Sequence, residues 1–107
     1  MTAPNNLSTH RVSKARIRQI FDGSQHRIAI ENGIYREAVT DDSTLQPATA
    51  RQKGFPVGTR TQFVRYYDSN ERYLVGMHRY ILPDGTVGAS GRADPKYVVI
   101  ADAIYYI

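Results

Sequence analysis

Polar side chains that can take part in chemistry are concentrated between Arg60 and Lys96. This segment contains His78, which is followed by Arg79 and Tyr80 within a pattern typical of β-strands. A neutral imidazole is a general base near pH 7, and cations stabilise the charge that develops on a phosphate. One hypothesis is therefore a small toxin-like, metal-independent ribonuclease or other phosphodiesterase, with His78 and Arg92 as catalytic residues. The simpler interpretation, which we favour, is a histidine that is hydrogen-bonded within an apolar sheet face.

Basic and aromatic side chains also favour an anionic partner. The net charge is +4, and residues 1–27 contain five Lys or Arg against one acid. Lys and Arg give sequence-independent affinity for phosphates, and tyrosines beside arginines can stack on unpaired bases. A charge of this size also simply keeps a small protein soluble. The predicted nucleic-acid-binding residues are Arg11, Lys14, Arg18, Arg65, Tyr67, Arg79, Arg92 and Lys96.

The loop at residues 88–96 is a second candidate anion site. Its glycine and serine residues would let backbone N–H groups converge on an anion, and Arg92 and Lys96 would complete the cradle. The P-loop sequence is absent. A connecting loop in which Asp94 pairs with one of these cations explains the same composition.

Several kinds of site are disfavoured by composition. The chain has no cysteine, which excludes disulfides, cysteine nucleophiles and thiolate metal sites. Its three histidines lie far apart without a ligand spacing, so we predict no metal site and no cofactor. No apolar run has the length of a signal peptide core or a membrane span. We expect a cytoplasmic protein that does not bind a membrane.

The N-terminal part predicts a flexible leader at residues 1–10, followed by one helix. Ser8, Thr9 or Ser13 could cap this helix, and Asp22-Gly23 is a plausible end. Arg11, Lys14 and Arg18 would form a basic ridge on its outer face. The dipeptide Asn32-Gly33 then predicts a β-hairpin between residues 27–31 and 34–39.

The remaining chain predicts strands separated by turns. Residues 40–58 contain two prolines and two glycines, which indicates a long connection with a short helical turn at 47–52. Strands are expected at 59–67, 72–82 and 86–89, and a last hairpin at 97–107 turns at Asp102. Gly76 lies inside the second of these strands, which suggests a bulge or a close backbone approach.

Together these elements predict a single α+β domain over residues 11–107. An N-terminal helix would pack on a strongly bent, mostly antiparallel sheet, or on a partly open small barrel, of about six or seven short strands. Eight tyrosines, most of them on predicted strands, indicate rings that face solvent, a ligand or a second copy of the chain.

The leading functional prediction is a non-enzymatic binding module for an anionic partner, with nucleic acid first. We also expect self-association as a homodimer, because aromatic sheet faces are common at such interfaces. The alternatives are the ribonuclease described above and a pocket-forming protein with a tyrosine-lined cavity for a small molecule.

Overall fold

The computed structural model describes residues 7–88 and 91–107. The elements in chain order are β1 (Ser8–Arg11), α1 (Lys14–Asp22), α2 (Gln25–Glu31), β2 (Arg36–Thr44), α3 (Pro47–Gln52), β3 (Arg60–Tyr67), β4 (Tyr73–Ile81), β5 (Asp94–Ile100) and β6 (Ala103–Tyr106). The six strands form one sheet in the order β1-β6-β5-β4-β3-β2. Every pair is antiparallel except β1 with β6. The predicted α+β class with a mostly antiparallel sheet is confirmed, and the sheet is not closed into a barrel.

Helix α1 forms where the sequence predicts it. The Ser13 side chain caps its N-terminus by accepting a hydrogen bond from the Arg16 N–H at 3.0 Å, and the helix ends at Gly23. Ile17 and Phe21, one turn apart, are buried against sheet residues that include Val64. The spacing of these two apolar side chains therefore determines which face of α1 meets the sheet.

The predicted hairpin at Asn32-Gly33 is wrong, because residues 25–31 form helix α2. Ser24 caps this helix by accepting from the His26 N–H at 3.2 Å. Asn32 ends it, and Gly33 follows with a φ of 69°. An Asn-Gly pair suits a helix C-terminus as well as a type I′ turn, since both need a left-handed residue. Only the packing of α2 on the sheet decides between them.

Residues 8–10, which composition assigns to a flexible leader, lie in β1. This strand runs parallel to β6, and the Ser8 N–H donates to the Asp102 carbonyl at 2.9 Å. The predicted basic ridge is changed as well, because Arg11 belongs to β1 and only Lys14 and Arg18 lie on α1. A four-residue strand whose partner is near the other end of the chain leaves no local pattern. Residues 1–6 of the predicted leader lie outside the described residues.

The predicted long connection at residues 40–58 is largely ordered into elements. Strand β2 continues to Thr44, with an irregularity in its pairing at Thr40, and α3 occupies the helical turn expected at 47–52. Phe55 folds back so that its ring lies 4.7 Å from that of Tyr80. The second half of β2 was not predicted because this edge strand is exposed along almost all of its length. Its residues there are polar and show no alternation of apolar and polar side chains.

The segment after β4 differs from prediction at two places. The expected strand at 86–89 is reduced to a single bridge between Ile81 and Val87, and residue 89 lies outside the described residues. Strand β5 begins at Asp94, so the predicted loop ends earlier. The turn at Pro83–Gly85 and the last hairpin around Asp102 are confirmed.

Candidate nucleic-acid interface

The side of the sheet opposite α1 and α2 displays a group of aromatic rings. Alternation sends Val64 and Met77 to the helix-covered core and their neighbours to the other side. A register shift between β3 and β4 at Tyr66/Tyr67 pairs Tyr73 with Tyr67 and so brings Tyr73 to that other side as well. The rings there are all partly exposed, and Phe55 joins them from the segment after α3. We call this surface the aromatic face: Phe55, Phe63, Tyr67, Tyr73, His78, Tyr80 and Tyr97.

One end of the aromatic face is a stack of tyrosines. The rings of Tyr73 and Tyr97 lie parallel with centroids 4.2 Å apart, and Tyr67 is 5.8 Å from Tyr73. The Arg65 guanidinium lies 4.8 Å from the Tyr73 ring centroid, within cation–π range. Burial raises the pKa of Tyr73 to about 12 and also raises that of Tyr97. Both phenols are therefore neutral at pH 7 and do not repel an anion.

Gly76 lets this stack lie close to the sheet. A methyl group at this position would be 2.9 Å from the Phe63 ring and closer still to the Tyr73 hydroxyl. The predicted close backbone approach at Gly76 is confirmed, and the β4–β5 register shifts between Gly76 and Met77.

Substituting Gly76 with alanine is expected to lower the free energy of unfolding by about 1–3 kcal/mol, because the added methyl forces the two rings to move in a packed environment. Chemical denaturation with urea measures this loss. Gly85→Ala is a poor control because Gly85 has a φ of 89°. Ser43→Ala, at an exposed position of β2, serves better. Equal stability of the Gly76→Ala variant and the wild type would contradict the close approach.

The other end of the aromatic face centres on His78. Its Nε2 lies 2.6 Å from the Thr61 hydroxyl, and its ring meets the Tyr80 ring edge-on at 4.7 Å. The Lys53 ammonium lies 5.9 Å from the Tyr80 centroid. His78 is half-buried, so solvent reaches the imidazole.

Lysines on three different segments lower the pKa of His78. Burial lowers the pKa of His78, and the positive charge of Lys96 lowers it further. Lys53 and Lys14 act in the same direction, whereas Asp94 opposes them. His78 is therefore mostly neutral at pH 7, and the surrounding surface has a positive potential.

Three of the predicted arginines are instead paired with acids. Arg18 donates to the Ala93 carbonyl at 2.6 Å and to Asp94 at 3.2 Å, and Arg92 lies 2.7 Å from Asp22. Arg79 lies on the other side of the sheet, where it donates to the buried Gln62 at 2.8 Å. It also lies 3.5 Å from a Glu37 carboxylate oxygen. The positive charges of these guanidinium groups are therefore engaged in contacts within the protein.

The structure does not bring His78 and Arg92 together. Arg92 lines a cavity of about 170 Å³ with Phe21 and Met77, on the helix-covered side. Met77 precedes His78 in β4, so their side chains point to opposite faces. The proposed loop cradle is also divided, because Lys96 lies in β5 while Arg92 contacts α1 through Asp22. Residues 89 and 90 of that loop lie outside the described residues.

Four cations remain available: three lie beside the aromatic face, and Lys14, at the start of α1, acts on His78 through its charge. Within residues 7–88 and 91–107, the ion pairs that lie within 4.0 Å involve none of these four side chains. We call them the cationic rim: Lys14, Lys53, Arg65 and Lys96. Sequence reasoning named three of them and missed Lys53, which lies in a turn with no local signal of function.

Two features are absent from the described part of the chain. It contains no group of three His, Asp or Glu side chains that could hold a metal ion. None of its helices combines the length and the apolar character needed to cross a bilayer. Comparison with known proteins found no matching family model, curated protein or solved structure.

Proposed function

We propose that this protein is a small binding module that takes single-stranded nucleic acid on its aromatic face. The observation that supports this most directly is the juxtaposition of partly exposed rings and the cationic rim. Stacking on aromatic rings contributes about 1–3 kcal/mol per base, and cations beside the rings hold the phosphates.

Single strands fit this surface better than duplexes. A duplex hides the flat faces of its bases, whereas an unpaired base can lie against a tyrosine or histidine ring. All of these rings except Phe55 lie on strands, so the sheet holds their positions. Because the rings are already ordered, little conformational entropy of the protein is lost when a ligand binds to the face.

The pairing of most arginines limits the electrostatic part of the affinity. If all four rim cations contact phosphates, the logarithm of the binding constant should fall with the logarithm of salt concentration with a slope of about −3 for a single strand. We expect a shallow slope between about −1 and −3, and weaker binding of the matching duplex. Fluorescence anisotropy with a labelled oligonucleotide across a salt series measures both quantities.

A double substitution, Lys53→Gln with Lys96→Gln, should make that slope shallower by about 1.4. Arg16→Gln is the matched control, because Arg16 is exposed on α1 and contacts Gln19 within the same helix. Absence of binding at low salt would remove the proposal. So would a homodimer, detected by sedimentation, that buries the aromatic face and excludes the oligonucleotide.

A further inference from the structure

His78 and Thr61 form a base and hydroxyl pair in the middle of the proposed binding surface. With its proton on Nδ1, neutral His78 accepts the Thr61 hydroxyl hydrogen at Nε2 across 2.6 Å. This distance is the one at which a general base takes a proton from a substrate hydroxyl. The imidazole is half-exposed. A substrate hydroxyl that displaces the Thr61 hydroxyl would meet this nitrogen.

The charges that face His78 suit a phosphate. Asp94 is its direct partner across the β4–β5 pair, and Lys96 is two residues further along β5. Lys53 follows α3 and Lys14 begins α1, so positive charge reaches the imidazole from three elements. Arg18 holds the Asp94 carboxylate through a hydrogen bond of 3.2 Å. The cations whose charge reaches His78 are therefore these lysines and not Arg92.

We propose that the aromatic face cleaves single-stranded RNA by internal transesterification at His78, an inference that rests on the proposed binding of nucleic acid there. His78 Nε2 takes the proton of a ribose 2′-hydroxyl. The 2′-oxygen bonds to the adjacent phosphorus while the bond from phosphorus to the 5′-oxygen breaks.

The leaving 5′-oxygen takes a proton from the Lys96 ammonium, and the charge on the phosphate is stabilised by Lys53 and Lys14. The products are a 2′,3′-cyclic phosphate and a 5′-hydroxyl end. Solvent then takes the proton from His78 and returns one to Lys96. The nucleophile belongs to the RNA itself, so DNA of the same sequence binds without being cleaved.

The test incubates excess purified protein with a 5′-fluorescein-labelled RNA oligonucleotide in EDTA. Matched substrates replace one or all riboses by deoxyribose. We expect cleavage of the RNA, no cleavage at a deoxyribose position, and a 2′,3′-cyclic phosphate by mass spectrometry. The rate should rise with pH and level off above the pKa of His78, which is lower than that of a free histidine because burial and the lysines favour the neutral form.

His78→Gln should reduce the cleavage rate by about 100-fold or more, the usual contribution of a general base, and reduce RNA binding by no more than about tenfold. Lys96→Gln, a second variant, should also slow cleavage. His10→Gln is the matched control, because His10 is exposed on β1 and stacks on Tyr105. It should cleave like the wild type.

The outcomes separate the two proposals. Binding of RNA without cleavage, or equal cleavage by wild type and His78→Gln, overturns the catalytic inference and leaves the binding function standing. Failure to bind RNA or DNA overturns both. Cleavage at a deoxyribose position also contradicts the mechanism, because it shows that the 2′-hydroxyl is not the nucleophile.

Discussion

Replacing Tyr73 by leucine is expected to weaken binding of a single-stranded oligonucleotide by about 5- to 150-fold, which corresponds to about 1–3 kcal/mol for one stacked base. The Tyr73 ring stacks on the Tyr97 ring, and the Arg65 guanidinium lies 4.8 Å from the Tyr73 centroid, so loss of the ring disturbs both neighbours. Leucine keeps apolar volume over Gly76 but has no π-face. The dissociation constant from anisotropy, at one fixed salt concentration, measures the effect.

Tyr105→Leu is the control for this experiment. Tyr105 is a half-buried strand tyrosine that pairs with Val98, a core residue, and stacks on His10. The same chemical change there should leave affinity within about twofold, because its ring lies outside the aromatic face. If the two variants lose affinity equally, the loss reflects general damage to the sheet, and stacking on Tyr73 is not the cause.

Ile17→Ala should lower the free energy of unfolding by about 2–5 kcal/mol, the largest effect on stability that we expect from one substitution. Ile17 is 0% exposed and belongs to the core cluster in which α1 meets the sheet. Its truncation leaves a cavity between layers that are already close-packed. Urea denaturation measures the change, with the m-value unchanged if the unfolded state is unaffected.

Ile28→Ala makes the same truncation on α2, where the side chain is 54% exposed. It should change the free energy of unfolding by less than about 1 kcal/mol. Folding buries little of the apolar area of the Ile28 side chain, and alanine favours a helix. Similar losses for the two variants would show that α1 does not pack on the sheet through Ile17.

Arginine and lysine have different roles in this chain. Arg18, Arg79 and Arg92 donate to carboxylates, carbonyls or amide oxygens and so connect α1, the sheet and the segment before β5. The planar guanidinium is suited to such fixed contacts, whereas an ammonium is a mobile point charge. Lysines near His78 therefore remain available to a ligand, and net charge alone could not show this division.

Strands β3 and β4 were predictable because each has a strand-like sequence pattern that is bounded by residues typical of turns. Alternation identified Phe63, Arg65 and Tyr67 as one face of β3, and the structure keeps them together. Gly76 was recognised as a place of close approach without any indication of which rings approach it. Identifying Tyr73 and Phe63 needed the register between neighbouring strands, which a single strand's pattern does not contain.

The wrong predictions share one physical cause: each concerns a structure that is decided by contacts between residues far apart in the chain. Asn32-Gly33 fits two backbone structures equally well, and α2 forms because Ala29 and His26 can be buried there. Strand β1 exists only through its pairing with β6, which residues 8–10 cannot signal. Arg92 looked like a partner for His78 because both lie in one polar segment, yet Arg92 contacts Asp22 of α1 on the helix-covered side of the sheet, and His78 points to the other side.

The amino-acid sequence by itself determined the α+β class, the capped helix α1, the central strands and a surplus of tyrosine and positive charge, since these depend on local backbone preferences and spacing. Only the tertiary structure decided which cations are neutralised by acids and which rings share a face. Those outcomes depend on register and on contacts between residues far apart in the chain. The lysines around His78 come from three such distant segments, and the candidate site exists only because folding brings them together.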